Sequence, residues 1–214
     1  MSFRIGVFFS KKDLNYNLDK FGKNQNLLFI TGLVGSGKST IAKDICAKKE
    51  VVILSQDWLA WSEVYEKDNL ATSVLNEFYQ LYPEARIASI ENKWHENKLT
   101  LEEKFDLKKK YNNFLVNYAK KDSNNLYIIE GIDVYNVFEY QFLLNFSIIF
   151  KRTSALKCFL RRYKRDKNAL NQADLKSKWN YLKMVIKESR KYYFRDRKIL
   201  NKLINKLMTK EKCN

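Results

Sequence analysis

Short apolar runs alternate along this chain with longer stretches of helical period. NLLFI (26–30), VVILS (51–55), LYIIEG (126–131) and FSIIFK (146–151) are each five or six residues long and mostly apolar. Runs of that length without polar alternation predict strands buried on both faces. The first leads into a glycine-rich turn, and STIAKDICAKK (39–49) after it predicts a helix. Residues 58–121 predict mainly helix, with Thr100 and Glu103 spaced as a capping box before LEEKFDLKKKYNNFLVNYAKK. SALKCFLRRYKRD and ADLKSKWNYLKMVIKESRKYY predict two more helices, the second with Leu175, Trp179, Leu182 and Ile186 on one apolar stripe. FRIGVFF (3–9) adds a candidate edge strand. Buried strands separated by helices predict an α/β fold, a parallel sheet flanked by helices in three layers. There is no internal repeat and no Pro/Gly-rich linker, and Pro83 is the one proline. A single domain spanning 1–214 is expected.

The chain has six glycines, and three of them, Gly32, Gly35 and Gly37, fall within ITGLVGSGKST (30–40). Gly32-x-x-x-x-Gly37-Lys38-Ser39 is the full phosphate-binding pattern, set between an apolar strand and a helix. Glycines let consecutive backbone N–H groups turn inward, and the helix N-terminus adds its positive dipole. Gly32, Gly35, Ser36, Gly37, Lys38, Ser39 and Thr40 are the candidate ligand-binding residues. Lys38 is expected on the β/γ-phosphates and the Ser39 hydroxyl on Mg²⁺. The loop is expected to face solvent, so its side chains should matter little to the core. The loop implies a nucleoside triphosphate, with ATP and Mg²⁺ as the expected cofactors. It does not separate a kinase from other nucleotide-binding classes.

Two carboxylates and a group of arginines narrow the choice. Asp57 lies just past the second strand, where ligands gather in open α/β sheets. It could take the proton of a hydroxyl attacking the γ-phosphate, or it could cap the following helix. Glu130 ends another apolar strand and is a candidate for Mg²⁺, its bound water or the substrate, with Gly131 allowing close backbone approach. Arg161, Arg162 and Arg165 cluster along one helix. Guanidinium forks suit phosphoryl oxygens, although a basic run is also a common solvated face.

GSGKST, VVILSQD, IIEGI and RRYKRD, in that order, resemble the uridine kinase group, P-loop nucleoside kinases related to phosphoribulokinase and nicotinamide riboside kinase. The resemblance covers 27–58 and 126–190. It implies a P-loop fold with a lid at 154–170 and a helical acceptor-binding insertion at 58–125. It implies phosphoryl transfer from ATP–Mg²⁺ to a hydroxyl of a small acceptor, a nucleoside or related sugar compound. Asp57 would be the base on the sugar 5′-hydroxyl, Glu130 would lie near Mg²⁺, and Arg161, Arg162 and Arg165 would belong to the lid over ATP. Catalysis would thus rest on Lys38, Asp57, Glu130 and the three arginines. The chain departs from the group between its second and third strands, where no Pro-x-Tyr-Asp-like stretch occurs and the one histidine, His95, has no assignable counterpart. KRTS replaces an acidic residue after the fourth strand, and RKILNKLINKLMTK reads as a helix where a last strand would stand. A polynucleotide 5′-hydroxyl kinase or a toxin-type sugar-nucleotide kinase would use the same phosphotransfer half. A regulatory nucleotide-binding protein with slow hydrolysis is the alternative from another class.

Charge adds one asymmetry. The chain carries a formal net charge of +16, and residues 1–150 hold equal numbers of basic and acidic side chains. The whole excess therefore lies in 151–214. The segment 194–214 is expected to form a basic helix, apolar on one face, with Lys198, Lys202, Lys206 and Lys210 on another. Docking of its apolar face on the sheet is favoured over a membrane or partner helix. Weak, non-specific binding of nucleic acid or another polyanion is expected there. The three cysteines have no metal or paired spacing, no apolar run is long enough to span a bilayer, and no cleavage site follows the N-terminal apolar patch. A cytoplasmic protein is expected.

Overall fold

A computed structural model describes residues 5–6, 26–48, 50–90, 98–122, 124–132, 134–138, 140–143, 146–151, 153–172 and 174–191, with 194, 198, 201, 202 and 205 as isolated positions. Five strands form one parallel sheet: β1 (Ile5–Gly6), β2 (Leu27–Gly32), β3 (Val51–Ser55), β4 (Leu126–Gly131) and β5 (Ser147–Lys151). Their spatial order is β1-β5-β2-β4-β3. The eight α-helices among the described residues are α1 (Lys38–Cys46), α2 (Asn69–Leu81), α3 (Pro83–Ile90), α4 (Leu101–Lys121), α5 (Val134–Val137), α6 (Tyr140–Leu143), α7 (Ala155–Gln172) and α8 (Leu175–Lys191). Two single turns of 3-10 helix, Gln56–Leu59 and Ser62–Tyr65, follow β3. The fold is a three-layer α/β P-loop NTPase fold.

The sheet is covered on both faces because the middle positions of its strands are apolar on both sides. Leu28, Ile30, Ile128 and Ile149 pack with Ile41, Ala42 and Ile45 of α1. Leu27, Phe29, Leu54, Tyr127, Ile129 and Phe150 point the other way, into a larger core with α2 and α4. On α2 the buried residues Ala71, Val74, Leu75 and Phe78 follow the i, i+3, i+4, i+7 spacing of one helix face. Each fully buried side chain the size of Phe78 stabilises the fold by roughly 1.5–3 kcal/mol. Asp68 caps α2 through the Leu70 and Ala71 N–H groups. The capping box at Thr100 and Glu103 forms as expected.

The candidate edge strand within 3–9 is met at Ile5–Gly6, and one helix differs from its sequence-based expectation. The sheet edge beside β5 is taken by β1, with Ile5 opposite Ile148. The expected tail helix (194–214) lies mostly outside the described residues. Two members of the apolar stripe on α8 do not face inward: Trp179 is 61% exposed and Ile186 43%, while Leu182 is half-buried and Val185 is fully buried. The inward line runs through Lys178, Tyr181, Leu182 and Val185, about 100° round the helix from Ile186.

Candidate nucleotide-binding site

Strand register builds the site. Ile30, Glu130 and Ser55 stand opposite one another on β2, β4 and β3. The glycine loop, the Glu130 carboxylate and the turn after β3 therefore emerge at one edge, the carboxyl end of a parallel sheet.

The loop runs from Gly32 at the end of β2 to Lys38 at the start of α1. Gly35 (φ 75°) and Gly37 (φ 93°) are left-handed, which side chains resist. They also admit α7. A Cβ on Gly35 would sit 2.6 Å from the Cys158 carbonyl oxygen, and one on Gly37 would sit 3.0 Å from Arg161 Nη1. The Ser36 carbonyl accepts from Thr153 Oγ1 at 2.9 Å and from Arg161 Nη1 at 2.8 Å. Ser36 and Lys38 are buried, so the expectation of a solvent-facing loop is corrected: α7 lies over it. Lys38 Nζ donates to the Leu33 carbonyl at 3.3 Å, across the loop. Ser36 Oγ and Thr31 Oγ1 are buried without a hydrogen-bond partner. Thr40 is exposed in the first turn of α1. The Cys158 thiol is pushed up by burial and drawn down by Arg161 and Lys38, which puts it beside both cations.

Glu130 is buried with both carboxylate oxygens engaged. Ser39 Oγ donates to Oε2 at 3.0 Å and Ser55 Oγ donates to Oε1 at 3.1 Å. The Ser39–Glu130 pair is a hard oxygen donor set at a loop built for phosphates, and it fits Mg²⁺, a cation that takes few protein ligands and completes its shell with phosphates and water.

Asp57 is exposed in the turn after β3. Its N–H donates to Ser55 Oγ at 3.3 Å, so Ser55, not Asp57, caps this 3-10 turn. Tyr65, in the next turn, has its hydroxyl pKa raised by burial, then by the Asp57 and Glu130 carboxylates, while Arg165 opposes. Asp57, Glu130 and Arg165 therefore all bear electrostatically on the Tyr65 hydroxyl. The arginines divide along α7: Arg161 reaches the loop, Arg165 one turn on bears electrostatically on Tyr65, and Arg162 is half-buried.

Next to Asp57, Gln56 Nε2 donates to Asn112 Oδ1 of α4, and both residues are buried. Asn112 Nδ2 donates to the Lys108 carbonyl at 2.7 Å. Gly131 is needed because a Cβ there would collide with the Gln56 side chain. Sequence reasoning missed Ser55, Tyr65, Asn112 and Thr153. The register with Glu130 is the signal that could have found Ser55.

The NB-ARC domain model matches residues 10–116, half of the chain. The match includes the glycine loop, Ser55, Asp57 and Tyr65, and leaves Glu130 and the α7 arginines beyond it. No curated protein matches the chain. The matched family is not the uridine kinase group that the motifs resemble. NB-ARC domains bind ATP or ADP, typically with Mg²⁺. A glycine loop with left-handed glycines and a buried lysine at the start of a helix agrees with that match, and the chain belongs to the NB-ARC domain family as a nucleotide-binding P-loop NTPase.

Proposed function

We propose that this P-loop NTPase is a phosphotransferase that moves the γ-phosphoryl group of ATP to a hydroxyl of a small acceptor. The observation that carries the proposal is the position of Asp57: an exposed carboxylate at the carboxyl edge of the sheet, two residues past Ser55, which stands opposite Glu130. In this reading the loop N–H groups and Lys38 hold the phosphates. Ser39 and Glu130 hold Mg²⁺, which when bound offsets charge on the β/γ-oxygens. Asp57 accepts the acceptor's hydroxyl proton as the acceptor oxygen bonds to the γ-phosphorus and the bond from that phosphorus to the β,γ-bridging oxygen breaks, releasing ADP. Arg161 and Arg165 supply positive charge along α7, which serves as a lid, and α2, α3 and α4 shape the acceptor side. The acceptor is a nucleoside or related sugar compound, as the motif resemblance suggests.

The family match favours a second reading, a regulatory protein that binds and slowly hydrolyses ATP. Turnover separates the two. Labelled ATP is incubated with nucleosides, nucleotides, sugars and oligonucleotide 5′ ends, the last because the +16 excess lies in 151–214. A phosphotransferase transfers label to an acceptor that accelerates ATP loss. Slow hydrolysis unchanged by every acceptor supports the regulator and removes the proposal.

A further inference from the structure

The hydroxyl of Ser55 makes two bonds of opposite sense. It donates to Glu130 Oε1 at 3.1 Å and accepts from the Asp57 N–H at 3.3 Å. One oxygen thus touches both the carboxylate assigned to the metal and the backbone that carries the candidate base. Ser39 reaches the opposite oxygen of the same carboxylate, Oε2, at 3.0 Å.

Ser55 is itself held firmly. It is buried at the end of β3, directly opposite Glu130 in the parallel register, so the two side chains leave the sheet on the same face. Its carbonyl accepts from Tyr111 Oη of α4 at 3.4 Å. The next residue, Gln56, leaves on the other face and is pinned by Asn112. The strand end is therefore clamped from α4 while its hydroxyl faces the site.

We infer that Ser55 is a positioning residue: its hydroxyl fixes the Glu130 carboxylate so that Oε2 is presented beside Ser39, and it ties that carboxylate to the turn bearing Asp57. The inference rests on the assignment of Ser39 and Glu130 to Mg²⁺ given above. A freely rotating glutamate would have to be ordered each time the metal–nucleotide complex forms. A hydroxyl has one proton to give and lone pairs to receive, so it satisfies both neighbours at once. Alanine satisfies neither, and threonine retains both capacities. Groups that orient a metal's ligands typically change metal affinity by about 10–100-fold when removed.

The test is a Mg²⁺ titration of ADP and ATP binding, followed with a fluorescent nucleotide and with melting curves, on the full chain. Ser55→Ala is expected to raise the Mg²⁺ concentration at half-effect by about 10-fold or more. Nucleotide affinity in excess chelator should stay within about twofold, because the glycine loop is untouched. Ser55→Thr should return the midpoint to within about threefold of the parent, and Glu130→Gln should shift it at least as far as the alanine change. If Ser55→Ala does not fold, Ser55→Cys keeps the volume with only a weak donor and is expected to shift the midpoint in the same direction. An unchanged midpoint in the folded alanine or cysteine variant, beside a shifted Glu130→Gln, overturns the role of Ser55 and leaves the assignment of Glu130 standing. Equal loss of metal-free and metal-dependent affinity, or no recovery in Ser55→Thr, reduces Ser55 to a structural residue and also overturns it. No shift in Glu130→Gln removes the metal assignment itself, and the inference with it.

Discussion

Arg161 of α7 donates from Nη1 to the carbonyl of Ser36, 2.8 Å away, inside the glycine loop. Thr153 donates to the same oxygen at 2.9 Å. Two donors on one carbonyl fix the plane of the Ser36–Gly37 peptide. In a trans peptide the next N–H points opposite to that carbonyl, so the Gly37 N–H is directed away from α7. Arg161 thereby shapes the loop, whereas Arg165, one turn later, bears electrostatically on the Tyr65 hydroxyl.

This division predicts different consequences for the same substitution. Arg161→Lys keeps the charge but loses the planar fork, and is expected to weaken nucleotide binding about 10-fold. Arg165→Lys should leave nucleotide affinity within about twofold and reduce acceptor-dependent kcat about 10-fold or more. Equilibrium binding and steady-state kinetics on both variants decide the matter. Equal losses in both assays for both variants would contradict the division.

Lys38 lies buried with its ammonium on the Leu33 carbonyl. Truncation to alanine would therefore mix a packing defect with the loss of charge. Lys38→Met keeps most of the stem. It should lower turnover about 100-fold or more, the scale for a lost electrostatic donor, with little change in melting temperature. Turnover at the parental rate would remove Lys38 from the phosphate site.

Much of the sheet was legible because its signals are local. Apolar runs mark β2–β5, and the glycine spacing marks the loop. Thr100 and Glu103 interact three residues apart, so their capping box needs no tertiary information. Ser55 and Tyr65 were not legible for the opposite reason. Each acquires meaning from a partner distant in sequence, Ser55 from Glu130 and Tyr65 from Glu130 and Arg165. Asn112 reads as an ordinary polar residue in a helix until Gln56 is brought against it. The α8 stripe misled because periodicity gives a helix its apolar line but not its rotation about its axis. There Tyr181 and Val185 turn inward, and Trp179 does not.

Asp57→Asn separates chemistry from capping more cleanly than the sequence alone suggested. The turn after β3 is capped by Ser55, so the asparagine variant removes no cap. Acceptor-dependent kcat should fall about 10²–10⁴-fold, the range for a positioned general base. Melting temperature and nucleotide affinity should hold. Parental kcat with a lowered melting temperature would assign Asp57 a structural role instead.

The last prediction concerns stability and lies far from the nucleotide loop, where α4 hands over to β4. Tyr127 Oη donates to Asp122 Oδ2 at 2.9 Å, and Asn125 Nδ2 donates to the same oxygen at 2.7 Å. The Asn124 N–H donates to Oδ1 at 2.9 Å. Burial and then the Asp122 hydrogen bond raise the Tyr127 pKa from 10.0 to about 12. Between those values the unfolded tyrosine ionises while the folded one stays protonated, so the folded state binds more protons. Stability is thus fully present below pH 10 and is lost as pH rises toward 12, by on the order of 2 kcal/mol from this residue. Tyr65, Tyr111 and Tyr118 are also raised, chiefly by burial, and act in the same direction. The Asp122 carboxyl is lowered, first by the Asn125 hydrogen bond, so its contribution is present above the unfolded carboxylate range and disappears as pH falls through the folded value. Tyr127→Phe should cost about 1 kcal/mol at pH 7 through the lost hydrogen bond. It should also flatten the decline in stability between pH 10 and 11.5. Asp122→Asn should flatten the acid limb instead. Urea midpoints across pH 3–11.5 for the parent and both variants provide the measurement. If the Tyr127→Phe curve runs parallel to the parent's on the alkaline side, the proton linkage assigned to this tyrosine is wrong.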